Sequence, residues 1–511
     1  EETRNKVKTL LDELVLIGQE FSANIRDDKS KVIANEVAEL EGLPQDFIES
    51  HPTGNDGKIT LSTNYVDYVP VMTYCKNEDL RRKMFLAYNN RAYPQNVEVL
   101  NRMTAKRFEL ANLLGFKTWA DYVTADKMIK TSTNASDFIE KIVNLSEERA
   151  KREYQELLKR KQKDVPTAKV VNRWESAYYA ELVSKENYNF DSQSVRPYFS
   201  YQKVKQGVLD VTAKLFGVTF KKVKSEPVWH PLVEYWEMYE NDELTGRFYL
   251  DMHPREGKYS HAAQFDVNTG VANRQIPEAT LVCNFPGGNE GESDLMEHND
   301  VVTFFHEFGH LLHSLFAGKQ KWLGIGGIST EWDFVEAPSQ MLEEWSRDAG
   351  ALKNFATHYQ TNEPIPTDLV NQMNRAGEFG KGLKVRQQMV YAKISLSVFD
   401  RSPDNIEFDQ IVHQIEQNYL PYPTVENTHL QTAFGHLDGY SAIYYTYMWS
   451  LVIAKDLFGK FDGKNLFATE IAKKYRQTIL EKGGSQPAEK LVESFLGRKT
   501  DFKAYQNWLN Q

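Results

Sequence analysis

The chain has 511 residues, 41 % apolar and 26 % charged, the balance of an ordinary globular protein with material for a large core. Its formal net charge of −10 argues against a nucleic-acid binder, whose footprint is a basic surface. Two cysteines, Cys75 and Cys283, form neither a disulfide framework nor a CxxC site, and no uninterrupted apolar run reaches the length of a membrane span.

The chain opens EETRNKVKTLL, with neither a methionine nor a signal-peptide pattern, so it is expected to start at a processing boundary with any targeting segment outside it. Residues 1–165 read as long helices. In VKTLLDELVLIGQEFSANI (7–25) apolar residues recur at three- and four-residue spacing. SEERAKREYQELLKRKQKD (146–164) carries Glu147/Lys151 and Glu148/Arg152 at supportive i,i+4 spacing, and a solvated helix face explains it better than a docking surface. Around 226–285 the texture changes. VEYWEMYE, GRFYLDMH and ATLVCNF are short, aromatic or β-branched, and bounded by Asn, Asp, Gly and Pro, so they read as strands of a small sheet. PGGNEGES (286–293) is a flexible loop without the order of a phosphate cradle, and GIGGIS (324–329) is a turn-forming loop. From 331 onward helices return. With no repeat and no low-complexity linker, residues 1–511 are expected to form a single unit.

The helix between those two loops carries FFHEFGHLLHSLF (304–316). His306 and His310 lie one turn apart on one face and can present two imidazole nitrogens to one ion, while Glu307 can flank a metal-bound water as general base. The phenylalanines and leucines around them bury the helix and exclude bulk water. A buried helix with chance polar residues is the bland alternative, but buried His and Glu without partners are costly. A catalytic zinc takes three protein ligands. The HExxHxxGxxH scheme is excluded, since Phe316 stands where its third histidine would be and His313 where its glycine would be. The third ligand is then a glutamate from the following helix. Glu336, in WDFVEAPSQMLEEW, is the best candidate, ahead of Glu331, Glu343 and Glu344. Asp333 could cap that helix with Glu336 as its capping-box partner, which is the bland reading of Glu336. His313 is expected to pack or to support a ligand.

FGHLDGYSAIYYTYMWS (434–450) places His436, Tyr440, Tyr444, Tyr445 and Tyr447 close together. If 440–447 is helical, Tyr440, Tyr444 and Tyr447 share a face and Tyr445 does not. A tyrosine stripe is often core, but the His beside it points to hydrogen-bond donors for an oxyanion.

These blocks, with FYLDMHPREGKYSHAA and GGSQPAEKLVESFLGR, resemble across essentially the whole chain the thimet oligopeptidase, neurolysin, oligopeptidase A and dipeptidyl carboxypeptidase family of zinc peptidases. Members usually carry a further helical segment ahead of the position of Glu1. The resemblance implies a mainly α fold with a small β-sheet near the active site, elongated, with two interwoven lobes around a deep channel and the zinc region at about 226–450. It implies one Zn²⁺ held by His306, His310 and Glu336, with Glu307 polarising the water and His436, Tyr440, Tyr444 and Tyr447 on the substrate side. ATLVCNF looks like the edge strand along which a peptide would pair. The expected activity is hydrolysis of internal bonds in short unstructured peptides, by a monomer in the cytoplasm, an organelle or the periplasm. A dipeptidyl carboxypeptidase is the alternative, with Arg255 or Lys258 holding the substrate's terminal carboxylate. A non-catalytic peptide-binding protein is the other.

Overall fold

The computed structural model describes residues 1–511 except 225, 226, 260, 289–292, 405, 462 and 464. Four residues of the loop read at 286–293 therefore lie outside the described residues. The chain folds as two compact units, each built from two stretches of sequence: Glu1–Asn189 with Gly377–Tyr445, and Phe190–Ala376 with Thr446–Gln511.

The first unit is mainly helical. Helix Glu2–Arg26 buries Leu10, Ile17, Phe21 and Ile25, a recurrence at seven- and four-residue spacing along one face, and packs on helix Gln95–Leu113. The charged stretch at 146–164 is the second half of helix Ser132–Asp164, with the expected Glu147–Lys151 pair on its exposed side. That helix packs along helix Lys381–Ser397. They meet closely at Gly382, where a Cβ would stand 2.8 Å from the Ala150 nitrogen. Glu153, 5 % exposed, accepts from Arg149 Nε at 2.8 Å and from the Leu383 backbone at 3.0 Å. One buried carboxylate thus satisfies a guanidinium and caps the facing helix N-terminus. The helical reading of 1–165 misses a small two-stranded sheet: β1 (Lys31–Ala34) pairs antiparallel with β2 (Ile59–Ser62), and Val32, Ala34, Ile59 and Leu61 bury one face.

The second unit holds a five-stranded sheet in the order β3-β4-β5-β7-β6: β3 Thr219–Val223, β4 Glu234–Glu240, β5 Glu243–Asp251, β6 Ala263–Asn268 and β7 Glu278–Val282. Neighbours are antiparallel except β5 and β7. Along β5 the buried Gly246, Phe248 and Leu250 alternate with less buried residues. They face helix His298–Phe316: Phe248 and Phe308 meet edge to face at 6.1 Å, and Leu315 crosses over Gly246. The segment expected at the sheet edge, ATLVCNF, is not there. β7 is paired on both sides, as its almost entirely buried sequence suits. The edge beside the helix is β6, whose Phe265 and Val267 are about half exposed. The closing GGS block packs on the glycine loop at 324–329. Gly484 N–H donates to the Ile325 carbonyl, and a Cβ on Gly484 would stand 2.0 Å from the Ser329 oxygen. Among the described residues no helix is long and apolar enough to cross a membrane.

Replacing Glu153 by Ala leaves the half-buried Arg149 guanidinium only its contacts to Glu378 and strips the cap from a helix N-terminus, and should cost about 2 kcal/mol. A denaturant titration reads this as a lowered midpoint; an unchanged midpoint would remove Glu153 from the fold's supports.

Candidate active site

Helix His298–Phe316 starts with a capping box in which Glu297 and Asp300 exchange side-chain-to-backbone hydrogen bonds. Two turns on, the His306 and His310 rings lie 5.0 Å apart, as their spacing requires. Glu336 is the first residue of helix Glu336–Leu342 and is 2 % exposed. Its Oε2 lies 3.1 Å from His306 Nε2 and 3.0 Å from His310 Nε2. Gly309 makes this approach possible. A Cβ there would stand 2.7 Å from the Ser339 Cα, so glycine alone lets the two helices touch at the level of the ligands.

The three side chains fit a metal ion. Their ligand atoms all lie within 4.8 Å of one another, and a tetrahedral ion with bonds of about 2.0–2.1 Å sets its ligands roughly 3.3 Å apart. The imidazoles say the same. His306 Nδ1 lies 2.7 Å from Glu343 Oε1 while its Nε2 faces Glu336. A bound cation takes the Nε2 side and leaves Nδ1–H to the Glu343 carboxylate, the usual support of a metal-binding histidine.

The electrostatics follow from burial and crowding. Burial alone would raise the Glu336 carboxyl, but the charge of His310 and hydrogen bonds from both histidines hold it well below its usual range. Burial pulls the His306 imidazolium down, and hydrogen bonds to Glu336 and Glu343 outweigh it, so the ring stays protonated well above its ordinary value. Burial raises Glu307, helped by the charges of Glu336 and Glu343 and opposed by the two histidines. Glu307 is 7 % exposed and its Oε2 makes no hydrogen bond within the protein. A carboxylate in that state is poised to take a proton.

The rival glutamates have other work. Glu331 accepts from the Ala488 backbone at the head of helix Ala488–Leu496, Glu344 pairs with Lys455, and Glu343 supports His306. The role of Glu343 was legible, since it lies seven residues, two turns, beyond Glu336. The Asp333 cap does not form. Helix Glu336–Leu342 has Val335 at its N-cap with no side-chain bond, because residues 332–335 already turn tightly. Instead Ser450 Oγ donates to the Asp333 carbonyl and Thr446 Oγ1 to that of Trp332, fixing the approach to Glu336. His313 packs: it is fully buried, neither ring nitrogen is hydrogen-bonded, and burial with nearby His310 lowers its pKa to about 3. Arg255 and Lys258 are engaged by Asp251, the first through two hydrogen bonds of 2.6 and 2.7 Å.

His436, Tyr440 and Tyr444 belong to the first unit and Tyr447 to the second. Residues 440–445 are not helical. Ala442 adopts a left-handed φ of +61°, which breaks the path, and the helix begins at Thr446. The three side chains cluster nonetheless, with His436 centred 5.2 Å from Tyr444 and 5.6 Å from Tyr440. Buried Arg107 clamps this turn by donating to the Leu437 and Asp438 carbonyls and to the Asp438 carboxylate. Tyr447 sits beside the other helix of the metal site, its carbonyl accepting from Gln340 Nε2.

The sequence profile described as peptidase family M3 matches residues 71–511. The thimet-like oligopeptidase of Dictyostelium discoideum is 32 % identical over 99 % of this chain and 78 % of its own length. Oligopeptidase A of Escherichia coli is 32 % identical over 98 % and 76 %, and the dipeptidyl carboxypeptidase of that organism 28 % over 96 % and 75 %. Among solved structures, PZ peptidase A with inhibitor 2 matches 99 % of this chain and 76 % of its own with a TM-score of 0.60 at 12 % identity, a likeness of fold.

Two outcomes follow from the geometry. Gly309→Val should push Glu336 away and weaken zinc binding at least about tenfold, read by competition with a chromophoric chelator; wild-type affinity would show that the close approach is dispensable. His313 takes up a proton only on unfolding, so its contribution to stability is full above about pH 6.5 and declines as pH falls toward 3. Between pH 7 and pH 5 the metal-free protein should lose about 2 kcal/mol through this group. His313→Leu should remove that part of the loss, and an unaltered pH dependence would contradict the assignment.

Proposed function

The chain belongs to peptidase family M3, and on that premise we propose that its metallo-oligopeptidase activity runs on one zinc ion held by His306, His310 and Glu336, with Glu307 as general base. The observation that carries the reading is the single buried carboxylate oxygen of Glu336 facing both imidazoles at 3.0 and 3.1 Å, next to an unpaired Glu307. The substrates are short unstructured peptides cut at internal bonds. When bound, the zinc supplies a Lewis acid that polarises the scissile carbonyl and acidifies water.

The chain's own residues supply the rest. Glu307 takes the proton of the attacking water and returns it to the leaving amine; burial, which raises its affinity for protons, suits both steps. Glu343 holds the His306 ring in the tautomer that offers Nε2. For hydrogen-bond donors to the oxyanion the family resemblance implies His436, Tyr440, Tyr444 and Tyr447, and within the first unit the Arg107 clamp keeps the first three in one cluster. The peptide backbone pairs along the open edge of β6, which runs against the site helix through the Ser314 to Asp266 hydrogen bond. The metal ligands and the base come from one chain, so a monomer suffices.

Glu307→Gln should keep its zinc and lose turnover by about a thousandfold or more; a mutant that still cuts peptides would break the assignment. Tyr444→Phe and Tyr447→Phe should each lower kcat on the order of a hundredfold with KM little altered. A loss confined to KM would make them binding residues instead.

A further inference from the structure

The open edge of β6 runs out beside a cleft. β6 leads into Thr269 and Gly270, and the stretch from Gly318 to Gly327 packs directly on that exit. A Cβ on Gly270 would stand 2.4 Å from the Gly318 Cα, one on Gly326 2.9 Å from the Gly270 oxygen, and one on Gly327 2.8 Å from the Asp266 carboxylate. The Ala272 N–H donates to the Gln320 carbonyl at 2.8 Å. The cleft beside this contact has a volume of about 400 Å³, and its walls include Lys319, Lys321, Trp322, Ile325, Glu481 and Lys482. All of these residues, β6 and the site helix belong to the second unit.

The charges in the cleft do not cancel. Lys319 Nζ lies 3.0 Å from Glu240 and 3.0 Å from Glu481, and Arg476 reaches the same two carboxylates at 2.6 and 2.8 Å. Two cations and two anions thus close on one another. Lys321 and Lys482 are left over, and neither forms an ion pair among the described residues. In a chain with a formal net charge of −10, a cleft with two uncompensated lysines draws carboxylates to itself. Trp322 and the adjoining Leu323 are 72 % and 59 % exposed. Large apolar side chains left in water beside a cleft mark a contact surface.

The site helix sets the distance to the chemistry. From Glu307 to Ser314 it rises roughly 10 Å, and Ser314 is hydrogen-bonded to Asp266 of β6. Lys319 follows one short helical turn after the helix ends at Phe316, so the cleft begins roughly 15–20 Å from the general base. An extended peptide covers that span in about five or six residues.

We propose that this cleft is a carboxylate subsite, in which Lys321 and Lys482 hold an acidic group of the peptide about five residues from the cut bond. The proposal rests on the oligopeptidase reading and adds a charge preference to it. The test uses peptides of equal length, blocked at both ends, with Glu, Gln or Lys scanned along the positions on either side of the scissile bond. A second set carries Gln throughout and a free C-terminus at varied distance, which separates a terminal carboxylate from a side-chain one. Cutting is measured with the wild type, and binding by fluorescence anisotropy with the Glu307→Gln protein. At one distance Glu should be preferred over Gln by roughly three- to tenfold in kcat/KM and in Kd, with Lys below Gln, and the ratio should fall toward one in high salt. Lys321→Glu combined with Lys482→Glu should reverse the order and place Lys above Glu. Equal handling of the three side chains and of the free terminus at every position, or a preference that survives the double charge reversal, would overturn the subsite. A wild-type dimer that the reversal dissociates, with the preference unaltered, would make the cleft a contact between copies of this chain instead. Should the wild type cut none of the peptides while the binding preference holds, the subsite stands and the oligopeptidase reading falls.

Discussion

A carboxylate with almost no access to water, set between two imidazoles, is the constraint on which the site depends. An isolated charge at the position of Glu336 would be expensive to bury, and the chain retains it because cationic or metal-bearing partners face it directly. Their meeting is steric before it is electrostatic. Helix Glu336–Leu342 can lie against helix His298–Phe316 only where Gly309 offers no Cβ, one residue before His310. The aromatic residues on either side then shut out bulk water, and the low polarity that results strengthens each interaction among the charged groups left inside.

Around this contact the fold supplies supports with few spare parts. Glu343, two turns beyond Glu336, fixes one imidazole. Ser450 and Thr446 fix the backbone that leads into Glu336, and β5 and β7 form the floor beneath the site helix. In the other unit a single buried arginine, Arg107, holds the His436 turn, and a single buried glutamate, Glu153, joins two long helices. Each is one charged group serving several partners, the economical way to bury polarity.

Much of this was legible from residue order. The i,i+4 histidines, the glutamate between them and the glutamate at the head of the next helix are local patterns, and helices of regular periodicity carry them. What stayed hidden depends on pairing between distant segments. ATLVCNF reads as a strand, but whether it lies inside or at the rim of the sheet depends on β6, a short strand with a bulge between Asp266 and Asn268 and a weak pattern of its own. Whether 440–447 is helical stays open in the sequence, and the left-handed Ala442 keeps 440–445 out of the helix that begins at Thr446. The two-stranded sheet of β1 and β2 was masked by the strong helices around it.

The central claim is that one divalent ion is gripped by His306, His310 and Glu336. Anomalous X-ray scattering from crystals of the protein, recorded on both sides of the zinc absorption edge, tests it most directly. One peak per chain is expected, at about 2.0–2.2 Å from the Nε2 atoms of both histidines and from a Glu336 oxygen. A peak elsewhere, or one with the Glu336 carboxylate out of bonding range, would contradict it.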